Sequence, residues 1–304
     1  MNLWGTLGWI LAVSCFTSCK DDSSSVQDDT GAESSWNKAA EARLNEQEKK
    51  NVSTAVNIVD ELFAEDSFEI GSSNYLADTL LSGQNPVVLG FEGKWLTNVK
   101  KTIISVFSDG LEYPNLKSSG GKIGLSNKEH QSRNGRRLVD SYTDLSKEVV
   151  YISFLFQIEN IGEASSYRAF ELHDRSIPNS AKGFHDVLNR KFALGVHEND
   201  FGTMGFGFRV NNDLAFSREL LGFRDTNVNL FVLKFELSDK RLSDSVTVWM
   251  NPPIGMEGDP ENGVSLSGFD ISFDTVTLAR FGGFETSLDE LRIGNSYSAV
   301  TPTK

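Results

Sequence analysis

Beyond Asp66 the chain reads as short runs in which apolar and polar positions alternate. Tyr151, Ser153, Leu155 and Gln157 oppose Ile152, Phe154, Phe156 and Ile158, while Val246, Val248 and Met250 oppose Thr247, Trp249 and Asn251. That period of two sends successive side chains to opposite faces of a strand, so each such run is predicted to bury one face. Strands are predicted over Thr102–Phe107, Arg137–Tyr142, Val149–Ile158, Arg168–Leu172, Lys191–His197, Met204–Val210, Val228–Leu237, Ser245–Met250, Gly268–Phe273, Val276–Arg280 and Leu288–Ile293. Turn material stands between them at Ser118–Gly121, Arg133–Gly135, Asn211–Asp213 and Glu257–Gly263, rich in the residues that reverse a chain. The helical segments that would return a chain to a parallel sheet are missing between the runs, so the sheets are predicted antiparallel. No repeat of fixed period is found, which argues against a propeller or solenoid.

The first 65 residues have a different texture. Leu3 to Phe16 is an apolar stretch of about 14 residues, too short for a comfortable bilayer span and of signal-peptide length. Phe16-Thr17-Ser18-Cys19 resembles a lipoprotein signal-peptidase box, with Cys19 as the lipidated first residue of the mature chain and Ala12-Val13-Ser14-Cys15 as the competing site. A plain secretory signal and an uncleaved anchor are the alternatives. Lys20 to Glu33 is almost devoid of apolar residues and reads as a disordered tether. Ser35 to Phe63 is rich in helix formers, with Val52, Val56, Val59 and Phe63 at three- and four-residue spacing, the pattern of an amphipathic stalk. The predicted organisation is a signal peptide over 1–18, a tether over 19–34, a helical stalk over 35–65 and one β domain over 66–304. The Cys-Lys-Asp-Asp start resembles an acidic sorting signal for lipid-anchored proteins of the outer membrane.

Composition narrows the function classes. A formal charge of -13 repels a phosphate backbone, and no Lys/Arg stripe offsets it, so nucleic acid is not an expected partner. Both cysteines, Cys15 and Cys19, lie in the leader, so the β domain has no disulfide and is held by its core alone. Phe at 21 and Gly at 26 suit half-buried pleated surfaces joined by many turns.

Several segments resemble one family, the concanavalin A-like, laminin G-like jelly-roll domains of exported bacterial proteins of the Planctomycetes and Verrucomicrobia type. They are Asp66–Ile70, Leu80–Asn85, Gly90–Trp95, Gly110–Leu116, Val150–Phe156, Val246–Pro252 and the closing Leu288–Tyr297. The resemblance implies an all-β antiparallel sandwich, preceded here by a short helical or disordered segment, with glycan binding or adhesion at the cell envelope. It also implies two alternatives, a polysaccharide-degrading enzyme of the same fold and a structural envelope protein.

Candidate chemistry is sparse. Glu257-Gly258-Asp259-Pro260-Glu261 carries three carboxylates at the spacing glycoside hydrolases use on a strand, but Gly258 and Pro260 mark it as a loop. Arg168-Ala169-Phe170-Glu171-Leu172-His173 with Tyr167 supplies the residue types of a polysaccharide lyase, although His173 beside Asp174 reads first as a hydrogen-bonded structural residue. The resemblance implies calcium, for which Asp259, Glu261 and Asn262, or Glu198, Asn199 and Asp200, are the oxygen-bearing candidates. Zinc is not expected, because His130, His173, His185 and His197 show no paired spacing. Trp95, Trp249, Tyr113 and Tyr297 are candidates for a sugar-stacking platform, and Asp289 or Glu290 for a structural ion pair with Arg292 or Arg280.

Overall fold

The computed structural model describes residues 60–71, 74–97, 104–125, 132–139, 149–160, 166–174, 190–198, 203–211, 220–280 and 285–304. Cys15, Cys19, the tether and most of the predicted stalk lie outside them. In chain order the strands are β1 (Leu62–Asp66), β2 (Thr79–Leu80), β3 (Phe91–Thr97), β4 (Ile104–Phe107), β5 (Lys122–Leu125), β6 (Ser132–Leu138), β7 (Val149–Asn160) and β8 (Ser166–His173). They continue as β9 (Arg190–Glu198), β10 (Met204–Val210), β11 (Gly222–Phe223), β12 (Val228–Glu236), β13 (Asp244–Met250), β14 (Val264–Phe269), β15 (Thr275–Arg280) and β16 (Glu285–Gly294), and a single helical turn, Tyr297–Val300, follows.

Two sheets form, with antiparallel neighbours throughout: a nine-stranded sheet in the order β14-β13-β12-β7-β16-β5-β4-β2 with β1 also on β16, and a seven-stranded sheet in the order β11-β10-β9-β8-β15-β6-β3. The protein is therefore an all-β antiparallel sandwich of jelly-roll type. Its core lies between the sheets, where Phe154, Phe156, Phe231 and Phe235 face Phe170, Phe192, Phe206 and Phe208. Phe154 stacks on Phe170 with centroids 4.6 Å apart, and Phe206 meets Phe231 edge-on at 5.1 Å. The many phenylalanines are thus an interlocked aromatic layer in the offset and edge-to-face arrangements such rings favour.

The nine-stranded sheet is buried on both faces at its centre, contrary to the one-face expectation. Tyr151, Leu155, Leu230, Val232 and Trp249 on its outer side form a second cluster with Leu111, Leu116, Tyr297 and Val300. The helical turn is started by Ser296, whose side chain accepts from the Ala299 N–H, and Ser153 Oγ ties it down by donating to the Val300 carbonyl at 2.6 Å. Capping and burial together fold the C-terminal segment over this face.

Four strand expectations are corrected. Phe63, placed at the end of a helical stripe, lies in β1, where a register irregularity between Leu62 and Ala64 puts Phe63 and Ala64 both in the core. Arg133-Asn134-Gly135, read as a turn, belongs to β6, which ends at Leu138 rather than Tyr142. Its core-side residues Asn134 and Arg136 are buried polar groups, so the alternation carried no hydrophobic signal. Asp270–Phe273 leaves the sheet, and β14 starts earlier, at Val264. Leu288 to Ile293 does not alternate simply: a bulge between Asp289 and Arg292, with Glu290 at φ 53, lets Leu288, Leu291 and Ile293 all reach the core. An extra residue in one strand shifts the face its neighbours point to.

Arg136 is held by the Pro86 carbonyl at 2.6 Å, the Gly93 carbonyl at 3.1 Å and Asp66 at 3.4 Å. Asp66 also accepts from the Tyr75 hydroxyl at 2.5 Å and from the Phe68 N–H at 3.1 Å, and the Trp95 Nε1–H donates to Tyr75 Oη at 2.7 Å. Burial pushes the Asp66 carboxyl up to about 6, outweighing the Tyr75 hydroxyl, the Arg136 charge and the Phe68 amide, which pull it down. A carboxyl raised on folding binds more protons in the native state, so its stabilising contribution is complete below pH 4 and is lost as pH rises through 6. Relative to an Asp66→Asn variant, the wild type is expected to lose about 3 kcal/mol between pH 4 and pH 7, from roughly two units at 1.36 kcal/mol each. Denaturant unfolding of both proteins across that range checks this; a pH-independent difference between them would refute it.

Candidate functional site

Polar and charged side chains gather on the outer face of the seven-stranded sheet, where they are buried, as the outer face of the nine-stranded sheet is at its centre. Val276 and Leu278 of β15, Phe170 and Leu172 of β8, and Phe192 and Leu194 of β9 point into the core, so their strand neighbours point away from it. Register places Gly135, Thr277, Glu171, Ala193 and Arg209 in one row across β6, β15, β8, β9 and β10, and Arg137, Thr275, His173 and Arg190 in the next. The second row depends on an irregularity: Leu172 pairs with Phe192 but His173 pairs with Arg190, leaving Lys191 as the extra residue. Such a bulge re-aims a side chain, and here it brings Arg190 to the side of Glu171.

Glu171 is the hub. Its Oε2 lies 3.1 Å from His173 Nε2 and its Oε1 lies 3.4 Å from Arg190 Nη1. Glu171 is 0% exposed, His173 1% and Arg190 3%. A carboxylate beside Nε2 assigns the ring hydrogen to that nitrogen and leaves Nδ1 with its lone pair. Nδ1 of His173 is buried without a hydrogen-bond partner, and so is Oγ1 of Thr277, its diagonal neighbour on the adjacent strand. His197, further along β9, has its pKa lowered by burial. Asp174 and Asp274 border the rows and are engaged, Asp174 accepting from the Ser272 hydroxyl and Asp274 from Thr275 Oγ1 at 2.8 Å.

Next to these rows is a groove of about 240 Å³ lined by Glu92, Lys94, Leu96, Gly135, Arg137 and Thr275. Arg137 pairs with Glu92 at 3.2 Å, and Leu96 exposes 45% of its surface. Ionic, hydroxyl and apolar groups therefore meet at the mouth, and Thr275 joins it to His173.

The residues predicted from sequence divide in three. Glu171 and His173 are brought together on one face, while Arg190, Arg209, Thr275 and Thr277 were missed because strand register alone assembles them. Glu171 and His173 are two apart on one strand, a signal readable in the sequence. The side chains of Tyr167 and Arg168 lie outside the described residues, as do Asn199, Asp200, His130 and His185. The aromatic platform is not assembled: Trp95, Trp249 and Tyr297 are buried, with Trp95 bonded to Tyr75, Trp249 Nε1 donating to the Pro260 carbonyl at 3.0 Å, and the Tyr297 hydroxyl donating to the Pro253 carbonyl. Aromatic rings with polar atoms were filling cores and satisfying those atoms internally.

Asp259, Glu261 and Asn262 lie on an exposed turn by the other sheet. Asp259 accepts from the Tyr151 hydroxyl at 2.6 Å and from Lys234 Nζ at 2.8 Å, so each of its oxygens already has a donor and its charge a counterion. A calcium ion gathers six or more oxygen ligands, and this turn, with an ammonium group against its central carboxylate, does not fit one. Among the described residues no group of three His, Cys, Asp or Glu is placed to hold a metal ion.

No protein-family model matches the chain, and no curated protein matches it. Among solved structures, the carbohydrate recognition domain of Emp47p is similar at 15% identity and a TM-score of 0.40, over 76% of this chain and 99% of that one. The carbohydrate esterase vb_24B_21 from the Shiga toxin-encoding bacteriophage phi24B is similar at 14% identity and 0.38, over 66% and 89%. The exoplasmic/lumenal domain of VIP36 with Ca2+ and Man2 bound is similar at 13% and 0.36, over 59% and 78%. At these values the likeness is one of general outline alone.

Proposed function

We propose that this protein is a non-catalytic glycan-binding module whose ligand lies on the outer face of the seven-stranded sheet, and that a lipid on Cys19 holds it at the outer membrane. The observation that supports the binding face is the pair of buried polar atoms, His173 Nδ1 and Thr277 Oγ1, that the protein leaves without partners. Buried polar groups are nearly always satisfied, and an exception calls for a ligand or water. An acceptor nitrogen beside a hydroxyl suits a sugar hydroxyl, which donates to the one and accepts from the other. The groove at Glu92–Thr275 supplies the entry.

Calorimetric titration of the full-length protein against a panel of polysaccharides, in calcium and then in chelator, tests the reading. Saturable binding to at least one glycan is expected, and a loss of it under chelator would place calcium away from the Asp259 turn, whose carboxylate is already paired with Lys234. Absence of binding across the panel would overturn it in favour of a structural role. Replacing Cys19 by Ser is expected to move the protein from the membrane fraction to the supernatant; retention would refute the anchor.

One arrangement favours a second reading. A histidine oriented by a carboxylate through one nitrogen, with the other nitrogen free, is what a general base needs. Product length decides: shortening of the bound polysaccharide, lost in His173→Gln, would make the same face an active site.

A further inference from the structure

Resting on the glycan-binding reading, we propose that the glycan is anionic, its carboxylate or sulfate groups taken by Lys191, Lys240 and Arg241. These three side chains line a cavity of about 610 Å³ together with Asp239, Asp244, Asp270 and Ser272, within the size range of ligand pockets. Among the described residues none of the three cations forms an ion pair. Two of the three wall carboxylates are otherwise engaged. Asp244 accepts from the Ser238 N–H at 2.8 Å and the Ile271 N–H at 2.7 Å, and Asp270 accepts from the Leu242 N–H. They hold the Ser238–Ser243 and Asp270–Asp274 loops in place and leave the cations without partners. Asp239, exposed on the rim, is the acid left over. The three cations balance the three wall carboxylates, so in a chain of net charge -13 the cavity is a locally neutral patch with cationic side chains outside any ion pair, less repulsive to an anion than the acidic surface around it.

Chain connectivity and one hydrogen bond tie the cavity to the proposed binding face. Lys191 is the bulged residue beside Arg190, and Ser272 bonds to Asp174, the residue after His173. The row Arg137-Thr275-His173-Arg190 therefore has the Glu92 groove at one end and the Lys191 cavity at the other. Three inter-strand steps of about 4.8 Å separate its ends, about 14 Å in all. A ligand touching both is an extended oligomer lying across the strands, with hydroxyls over His173 and Thr277 and charge at the β9 end.

The test titrates the full-length protein with an oligogalacturonate, the same oligomer as its methyl ester, and a sulfated galactan, at 50 and 500 mM NaCl. Binding of an acidic ligand is expected to be roughly tenfold tighter than of the ester, and to weaken roughly tenfold at high salt, the scale of a few solvent-exposed ion pairs under screening. The Lys191→Gln/Lys240→Gln/Arg241→Gln variant is expected to bind acid and ester alike. Asp239→Asn should tighten acid binding, a gain no misfolded variant can mimic. Binding of the galacturonate alone names carboxylate as the group read, and of the galactan alone, sulfate. Equal affinity for acid and ester, or acid binding unchanged in the triple variant, overturns the anionic assignment and leaves glycan binding standing. No binding by these ligands or by neutral glycans overturns both.

Discussion

Replacing Arg292 by Ala should destabilise the protein by about 3–5 kcal/mol, the cost of removing one partner from a buried ion pair. Arg292 is 2% exposed, pairs with Glu290, lies 3.0 Å from Glu65 through Nε, and donates to the Lys117 carbonyl at 2.8 Å. Glu290 in turn accepts from the Ser119 N–H, and Asp289 beside it accepts from the Leu111 N–H at 2.8 Å. Both carboxyls have raised pKa values, first through burial; the Glu290 charge adds to the rise at Asp289, while Arg292 opposes it at Glu290. Without the guanidinium, two acidic groups remain buried against each other. The same cause gives the rescue: Arg292→Met with Glu290→Gln should be markedly less damaging than Arg292→Ala, because no lone charge is left inside. Thermal melting of the three proteins checks this, with a fall on the order of 10 °C expected for the alanine variant. A fall of only a degree or two would show the cluster to be solvated and of little weight.

This cluster also shows what was and was not legible in the residue order. The alternation in Val149–Ile158 and Ser245–Met250 named the central strands because their inward residues are apolar and their neighbours include Ser153, Thr247 and Ser245. It failed where polar side chains face inward, as Asn134 and Arg136 do, or where a bulge breaks the period, as at Glu290 and Lys191. The ion pair between Glu290 and Arg292 was readable from their spacing, but its third member, Glu65, comes from the far end of the chain. Of the binding face, Glu171 and His173 could be found because one strand carries both. Thr275, Thr277 and Arg190 reach them only through pairing between strands, which no local pattern records. The aromatics misled for the complementary reason: ring type does not tell a core position from a surface one.

Thr277→Val should raise stability and lower ligand affinity together. The substitution keeps the branched shape that suits a strand and removes a buried hydroxyl that has no partner. Deleting an unsatisfied buried polar group recovers its desolvation cost, about 1–3 kcal/mol, so a melting temperature several degrees higher is expected. If the hydroxyl serves a ligand, the same change should weaken binding roughly tenfold or more, since a site built for a hydroxyl discriminates strongly when a partner is lost. Opposite signs in melting and titration are the signature of a group kept for binding at the expense of the fold. A variant that gains stability and binds as well as wild type would remove Thr277 from the site.

The place of β1 has a consequence for the timing of folding. It pairs only with β16 among the described strands, Leu62 against Gly294, so the first strand made has no ladder to join until the last has been made. Any nascent or threading chain that stops short of that point exposes Phe63 and the edge of β16's partners, and long-range closure of this kind is slow. Gly90 makes the closure exacting: at φ 75 its missing side chain would sit 2.2 Å from the Phe63 carbonyl oxygen, so β1 must settle against a surface already shaped to receive it. The two ends of the domain thus act as its final clasp, and loss of the last twenty residues, which removes β16, should leave β1 without a partner and β5 cut off from β7.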